Sequence, residues 1–172
     1  LDAMDAAPYF AFAPTTEPRR VLAALGPKML ALAADRSEGS HPYFVPVEHT
    51  AYARNILGTG PWLMPEQKVV LDTNPERARA VARRAMAMYL GLPNYARNLL
   101  RLGWDQDDLA HGGSDRLVDA IVAWGDEDAI RARVAEHHDA GADHVCIQVL
   151  PEEFGGLPLD AWRRLAPALT AS

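Results

Sequence analysis

Three short stretches of this chain carry residues able to do chemistry. The first is Leu25-Gly26-Pro27-Lys28-Met29, which follows the apolar run Val21 to Leu25 and opens an Ala/Leu/Met segment with helical spacing. A strand therefore runs straight into a helix. At such a joint glycine lets a ligand approach the backbone closely, and proline is pre-set for a first helical position. The next amide N–H groups have no intrahelical acceptor. A helix N-terminus of this kind suits a phosphate, and Lys28 adds a full positive charge beside it. The same residues equally serve a plain strand-to-helix turn with Lys28 in water, so at this level both readings stand.

The second stretch is His41-Pro42-Tyr43, at the C-terminal end of a second apolar segment. In parallel α/β sheets ligands bind at that end of the strands. His41 can hydrogen-bond a substrate or cofactor there, or serve the structure alone. The third is "AEHHDAGADH", with His137, His138, Asp139, Asp143 and His144. Adjacent helical residues point about 100° apart, and no i,i+4 His pair puts two imidazoles on one face. It reads as a polar helix end, and no metal site is expected.

Other reactive types read as structural. Cys146 lies in a Val/Ile run and reads as an inert buried thiol. Arg77, Arg79, Arg83 and Arg84 read as a solvated helix face. Trp104, Trp124 and Trp162 read as helix-packing anchors. There is no Ser/His/Asp order, no Walker loop and no nearby GxGxxG, so the catalytic residues are unknown from sequence.

The elements that must position these groups follow from hydrophobic period and breakers. Strands are expected at Val21–Leu25, Gly39–Pro46, Glu66–Thr73 and His144–Leu150. Helices are expected over Pro27–Asp35, Val47–Gly58, Thr73–Gly91, Leu92–Gly103, Ser114–Gly125, Asp126–Gly141 and Leu157–Thr170. Tyr9–Pro18 reads as a loop and Thr59–Pro65 as a turn-rich connection. In the longest helix, Thr73 or Asn74 is the expected cap, with Glu76 completing a capping box. Its expected apolar stripe is Ala78, Val81, Ala82, Ala85, Met88 and Tyr89. Strand–helix repeated four times, with a helical insertion before the last strand, implies parallel strands joined by right-handed crossovers.

With 172 residues the chain suits one domain with a real core. A net charge of −6 argues against nucleic-acid and anionic-membrane partners, which need a basic face. No apolar run reaches the roughly 18 residues that span a bilayer. One cysteine excludes an intramolecular disulfide and a cysteine zinc site, and suits the cytoplasm. The chain opens without Met, on Leu1–Ala7, which reads as the last two turns of a helix stopped by Pro8. A fragment of a longer protein is therefore expected.

The segments "VLAALGPKMLALAADRSEGSHPYFV", "PEQKVVLDTNPERARAVARRAMAMYLGLPNYARNLLRLGW" and "GDEDAIRARVAEHHDAGADHVCIQVL" resemble the C-terminal half of the luciferase-like monooxygenase superfamily. The similarity is to its coenzyme F420 (deazaflavin)-dependent oxidoreductase branch. It covers nearly the whole chain, in order. It implies a (β/α)8 TIM barrel of which residues 1–172 supply about four β/α units, with the N-terminal half absent. It implies that Leu25, Gly26, Pro27, Lys28 and Met29 hold the cofactor, and that His41 and Tyr43 border the cofactor or substrate pocket. The implied activity is hydride transfer between F420 and a small organic substrate, in a homodimer, with this chain alone inactive. The alternatives are an FMN-dependent monooxygenase and a non-catalytic binding or dimerisation module.

Overall fold

In the computed structural model, which describes residues 1–8, 10–12, 14–153 and 155–170, helices start where the sequence places a proline or a cap. A single turn, α1 (Asp2–Asp5), precedes β1 (Val21–Leu22), α2 (Pro27–Arg36), β2 (Gly39–Ser40), α3 (Val47–Leu57), β3 (Trp62–Leu63) and β4 (Glu66–Val70). Then come α4 (Pro75–Leu90), α5 (Pro93–Arg101), α6 (Gln106–Leu109), α7 (Asp115–Ile121), β5 (Val122–Trp124), α8 (Glu127–Asp139), β6 (Cys146–Val149) and α9 (Leu159–Thr170). Pro27, Pro75 and Pro93 each open a helix, where the missing N–H is no loss. Asn74, Ser114 and Asp126 cap α4, α7 and α8 through their side chains. The expected loop from Tyr9 to Pro18 includes Tyr9 and Ala13, which lie outside the described residues.

The strands form two three-stranded parallel sheets, β1-β2-β3 and β5-β4-β6. They meet in one stretch, Trp62–Val70, broken at Met64-Pro65. Along one edge of that stretch the amides of Trp62, Met64 and Glu66 donate to the carbonyls of Glu38, Ser40 and Pro42. Farther on, the carbonyl of Val70 accepts from Gly125 on the same edge. Along the opposite edge the carbonyls of Leu63, Pro65 and Val69 accept from Asp143, Cys146 and Leu150. The spatial order is thus β1, β2, the broken central strand and β6, with β5 taking over from β2 beside β4. This is an α/β fold with parallel strands joined through helices, and no closed barrel exists among the described residues.

Close approach of β2 to β3 depends on Gly39. A Cβ built there would stand 2.1 Å from the carbonyl oxygen of Trp62. Side-chain alternation sorts β4 into two faces. Val69 joins Ala123, Ile130, Val149 and Leu165 beneath α8 and α9. Val70 joins Ala78, Val81, Met86, Leu99 and Leu117 beneath α4, α5 and α7. A third cluster, with Leu30, Ala33, Ala53, Leu57 and Leu63, seats α2 and α3. Each fully buried Leu or Ile contributes about 1.5–3 kcal/mol.

Several expectations need correction. Val122–Trp124 is a strand, because pairing with β4 captures residues that continue the helical pattern of α7. Trp62–Leu63 is also a strand, within what reads as a turn. Glu76 forms no capping box; Asn74 alone accepts from the Arg77 amide, at 3.0 Å. The buried stripe of α4 uses Met86, while Met88 is exposed. Cys146 is half-buried, and Trp162 is exposed. Trp124 sits on a strand and donates from Nε1 to Asp119. Nor are the α4 arginines merely solvated. Arg79 bridges Asp115 and Asp119, Arg83 holds Asp115 and the Gly113 carbonyl, and Arg84 donates to the Glu152 carbonyl. They tie α4 to α7 and to the segment after β6.

Candidate functional site

The β1–α2 joint forms one corner of the C-terminal side of the sheet. Gly26 is the N-cap of α2, Pro27 follows it, and no side chain caps the helix. The Leu30 amide is the first to bond back, to the Gly26 carbonyl, so the Lys28 and Met29 amides have no intrahelical acceptor. Lys28 and Met29 are exposed. Arg101, at the end of α5, brings its Nη2 within 3.9 Å of where a Cβ on Gly26 would lie. Arg101 Nη1 donates to Asn98 Oδ1 at 3.0 Å. That leaves the Asn98 Nδ2 buried and unpartnered, a donor without an acceptor. Beneath them His49 donates from Nε2 to the Leu25 carbonyl at 2.9 Å, fixing the end of the joint. Burial pushes the His49 pKa down, and the Arg101 guanidinium adds to the shift. Two kinds of donor thus gather at one corner, helix amides and a guanidinium, the latter held in place by Asn98. Their chemistry fits a phosphate.

A second polar group lies on the α4/α5 face of the central strand. Lys68 is 1% exposed and Glu66 5%. Lys68 Nζ donates to Glu66 Oε1 at 3.0 Å and to Gln148 Oε1 at 3.2 Å. It also sits 3.8 Å from the centre of the Tyr43 ring and 4.9 Å from that of Tyr89. Burial drives the Lys68 pKa down, and Glu66 opposes the shift. Glu66 Oε2 accepts the Phe44 amide, at a residue held at φ 58°. The Tyr43 hydroxyl donates to Gln148 Oε1 at 2.7 Å and is 3.0 Å from the Tyr89 hydroxyl. Burial raises the pKa values of Tyr43, Tyr89 and Tyr95, so these phenols stay protonated at neutral pH. Lys68, Tyr89 and Gln148 line a cavity of about 300 Å³, closed otherwise by Ala85, Met88 and Leu150. A larger groove of about 440 Å³ adjoins it through Val81, Arg84 and Leu150, and runs past Asp72 and Arg77.

Helix α5 connects the two places. Tyr95 near its start packs on Phe44 and Tyr89, and Arg101 at its end reaches Gly26. Six residues of helix separate them, a rise of about 9 Å.

Of the residues singled out in the sequence, Leu25 to Met29 share the first corner and Tyr43 belongs to the second. His41 joins neither: its Nδ1 is 2.6 Å from the Met64 carbonyl, at the break in the central strand. His137 is fully buried, with Nε2 at Gln67 Oε1 (2.9 Å) and Nδ1 at the Thr50 hydroxyl (2.8 Å). His138 reaches the Ala142 carbonyl, and Asp143 accepts from Arg54 and the Leu63 amide. Among the described residues no three His, Cys, Asp or Glu side chains are grouped to hold a metal. Likewise no helix among them is long and apolar enough to cross a membrane. Sequence reading misses Lys68, Glu66, Gln148, Asn98 and Arg101. The one signal was two charges at period 2, Glu66 and Lys68, inside a strand flanked by helices and therefore buried.

The family model for luciferase-like monooxygenases matches residues 5–144. No curated protein sequence matches the chain significantly. Among solved structures, the chain is similar to a coenzyme F420-dependent tetrahydromethanopterin reductase from Methanopyrus kandleri. The TM-score is 0.61 at 18% identity, over 77% of this chain and 45% of that one. It is also similar to an F420-dependent secondary alcohol dehydrogenase in complex with an F420-acetone adduct, with TM-score 0.62 and 12% identity, covering 92% of this chain and 51% of that one. A third, apo-MsnO8, gives TM-score 0.60 at 17% identity, covering 99% and 57%. The chain thus spans about half the length of these structures. With the model match covering most of its length, it belongs to the luciferase-like monooxygenase family.

Proposed function

We propose that this chain is the cofactor-anchoring half of an F420-dependent oxidoreductase that transfers a hydride to or from a small organic substrate. The observation that carries the proposal is the first corner, where the unpaired α2 amides and the Arg101 guanidinium meet beside Gly26. A phosphate there would accept from the helix amides and form a charge-assisted hydrogen bond with Arg101. The F420 named in two of the similar structures carries a phosphate, which supports this cofactor. When bound, the deazaflavin ring supplies the hydride chemistry.

The chain's own residues hold and enclose. Arg101 and the helix amides bind the phosphate, and His49 engages the Leu25 carbonyl. Tyr89 walls the cavity, with Tyr43 and Tyr95 packed on its ring, and all three phenols stay protonated. The outer edges of β1 and β6 pair with no strand among the described residues; we assign them to the remaining strands of a (β/α)8 barrel. Without those strands the same edges would favour association of two copies of this chain as a homodimer.

The test is a titration of the full-length protein with F420 and with FMN, followed by absorbance and fluorescence. F420 is expected to bind. Arg101→Ala weakens it by about tenfold, and Lys28→Ala, an exposed charge, by less. Unchanged affinity in Arg101→Ala removes the anchoring role, and tight FMN binding without F420 binding shifts the assignment to a flavin monooxygenase.

A further inference from the structure

The cavity beside β4 has polar groups whose hydrogen-bond directions are fixed, and the anchoring corner makes no use of them. Lysine only donates, so the Gln148 atom facing Lys68 must be its oxygen. The Tyr43 hydroxyl donates to that same oxygen. Two donors therefore lock the amide in one orientation, and the Gln148 NH2 group is left as the free end. It has no partner among the described residues, and Gln148 is exposed on the cavity wall. The lock is itself secured. Lys68 is buried and paired with Glu66, and its ammonium lies against the Tyr43 ring. The cation at the cavity floor is thus matched by its own carboxylate. The rest of the wall is apolar, from Ala85, Met88 and Leu150, with Arg84 at the rim and tied to the Glu152 carbonyl.

We infer that Gln148 is the residue that binds the substrate, through two N–H donors aimed at an acceptor oxygen on a compact apolar molecule. Lys68 and Tyr43 are positioning residues that hold the amide in its donor-out orientation. A pocket with a few fixed polar groups on an apolar wall selects orientation through those groups. A locked amide whose free end only donates favours ligands with an acceptor oxygen over ligands that carry only donors. The ligand class is therefore a carbonyl compound or a carboxylate, and an amine makes no bond to the Gln148 NH2 group. The inference rests on the proposed oxidoreductase only in naming this ligand a substrate.

The test is an NMR titration of the full-length protein without cofactor, using cyclohexanone, cyclohexanecarboxylate and cyclohexylamine. It follows the side-chain amide signals of Gln148, assigned by their loss in Gln148→Glu. Cyclohexanone or the carboxylate is expected to shift these signals saturably, and cyclohexylamine to leave them in place. The tighter of the two oxygen ligands tells a neutral carbonyl from a carboxylate assisted by Arg84. Gln148→Glu, which keeps size and still accepts from Lys68, weakens the oxygen ligand by about tenfold or more. Tyr43→Phe removes one half of the lock without unpairing a buried charge, and weakens binding by about threefold while narrowing the separation of the two amide proton signals. Equal binding of the amine, an unchanged affinity in Gln148→Glu, or no saturable binding by the unaltered protein overturns the inference. Because no cofactor is present, failure of F420 to bind leaves this result standing, and failure here leaves the anchoring corner standing.

Discussion

His137 joins three elements through one ring, and lowering the pH must cost the fold stability there. The ring is fully buried between Gln67 on β4 and Thr50 on α3. Its pKa is lowered from 6.5 to about 4, first by burial and then by the positive charges of Arg133, His138 and His49. A group whose folded pKa is depressed binds fewer protons in the native state. Its contribution is therefore complete well above 6.5 and shrinks as the pH falls toward 4. Linkage across that gap gives a loss of about 2 kcal/mol between about pH 7.5 and pH 5, from this residue alone. Urea denaturation at both pH values measures it. Carboxylates and His49 also titrate, so the diagnostic quantity is the difference from His137→Gln, in which those groups remain. The unaltered chain is expected to lose about 2 kcal/mol more than the variant. Equal losses refute the reasoning, since His137 would then titrate alike in both states.

Two further perturbations test the framework. Gly39→Ala drives a methyl into the Trp62 backbone, so β2 and β3 must separate; about 2–4 kcal/mol is lost, seen as a lower urea midpoint. Arg54→Met removes bonds to the carbonyls of Gly141, Gly58 and Pro61 and the pair with Asp143; thermal unfolding is expected to show about 2–3 kcal/mol of destabilisation.

What the sequence disclosed and what it hid divide along physical lines. The helices announce themselves through local signals, as with Pro27 opening α2 or Asp126 capping α8, because these act within one turn. The strand at Val122–Trp124 was hidden because its identity comes from a partner, β4, more than fifty positions earlier. The candidate site follows the same division. Gly26 to Met29 stand out because a joint is local, whereas Arg101, held by Asn98, reaches it from α5 and shares no motif with it. Tyr43 was legible as lying near a strand end, but its companion Gln148 is 105 positions away. The bond from His41 to the Met64 carbonyl was hidden as well, because it lies across a strand break 23 positions on.

Helix α5 has a consequence for how this protein can change. One of its ends stands at Gly26 and the other packs on Tyr89 of the cavity wall, so a single rigid rod sets the distance between them. Loop remodelling elsewhere can reshape the cavity mouth without altering that distance. An insertion or deletion within α5 changes the spacing and, by turning the helix about 100° per residue, also its facing. Changes at Met88 or Arg84 would therefore reshape the cavity alone, while the distance from the cavity to the β1–α2 joint changes only with α5 itself.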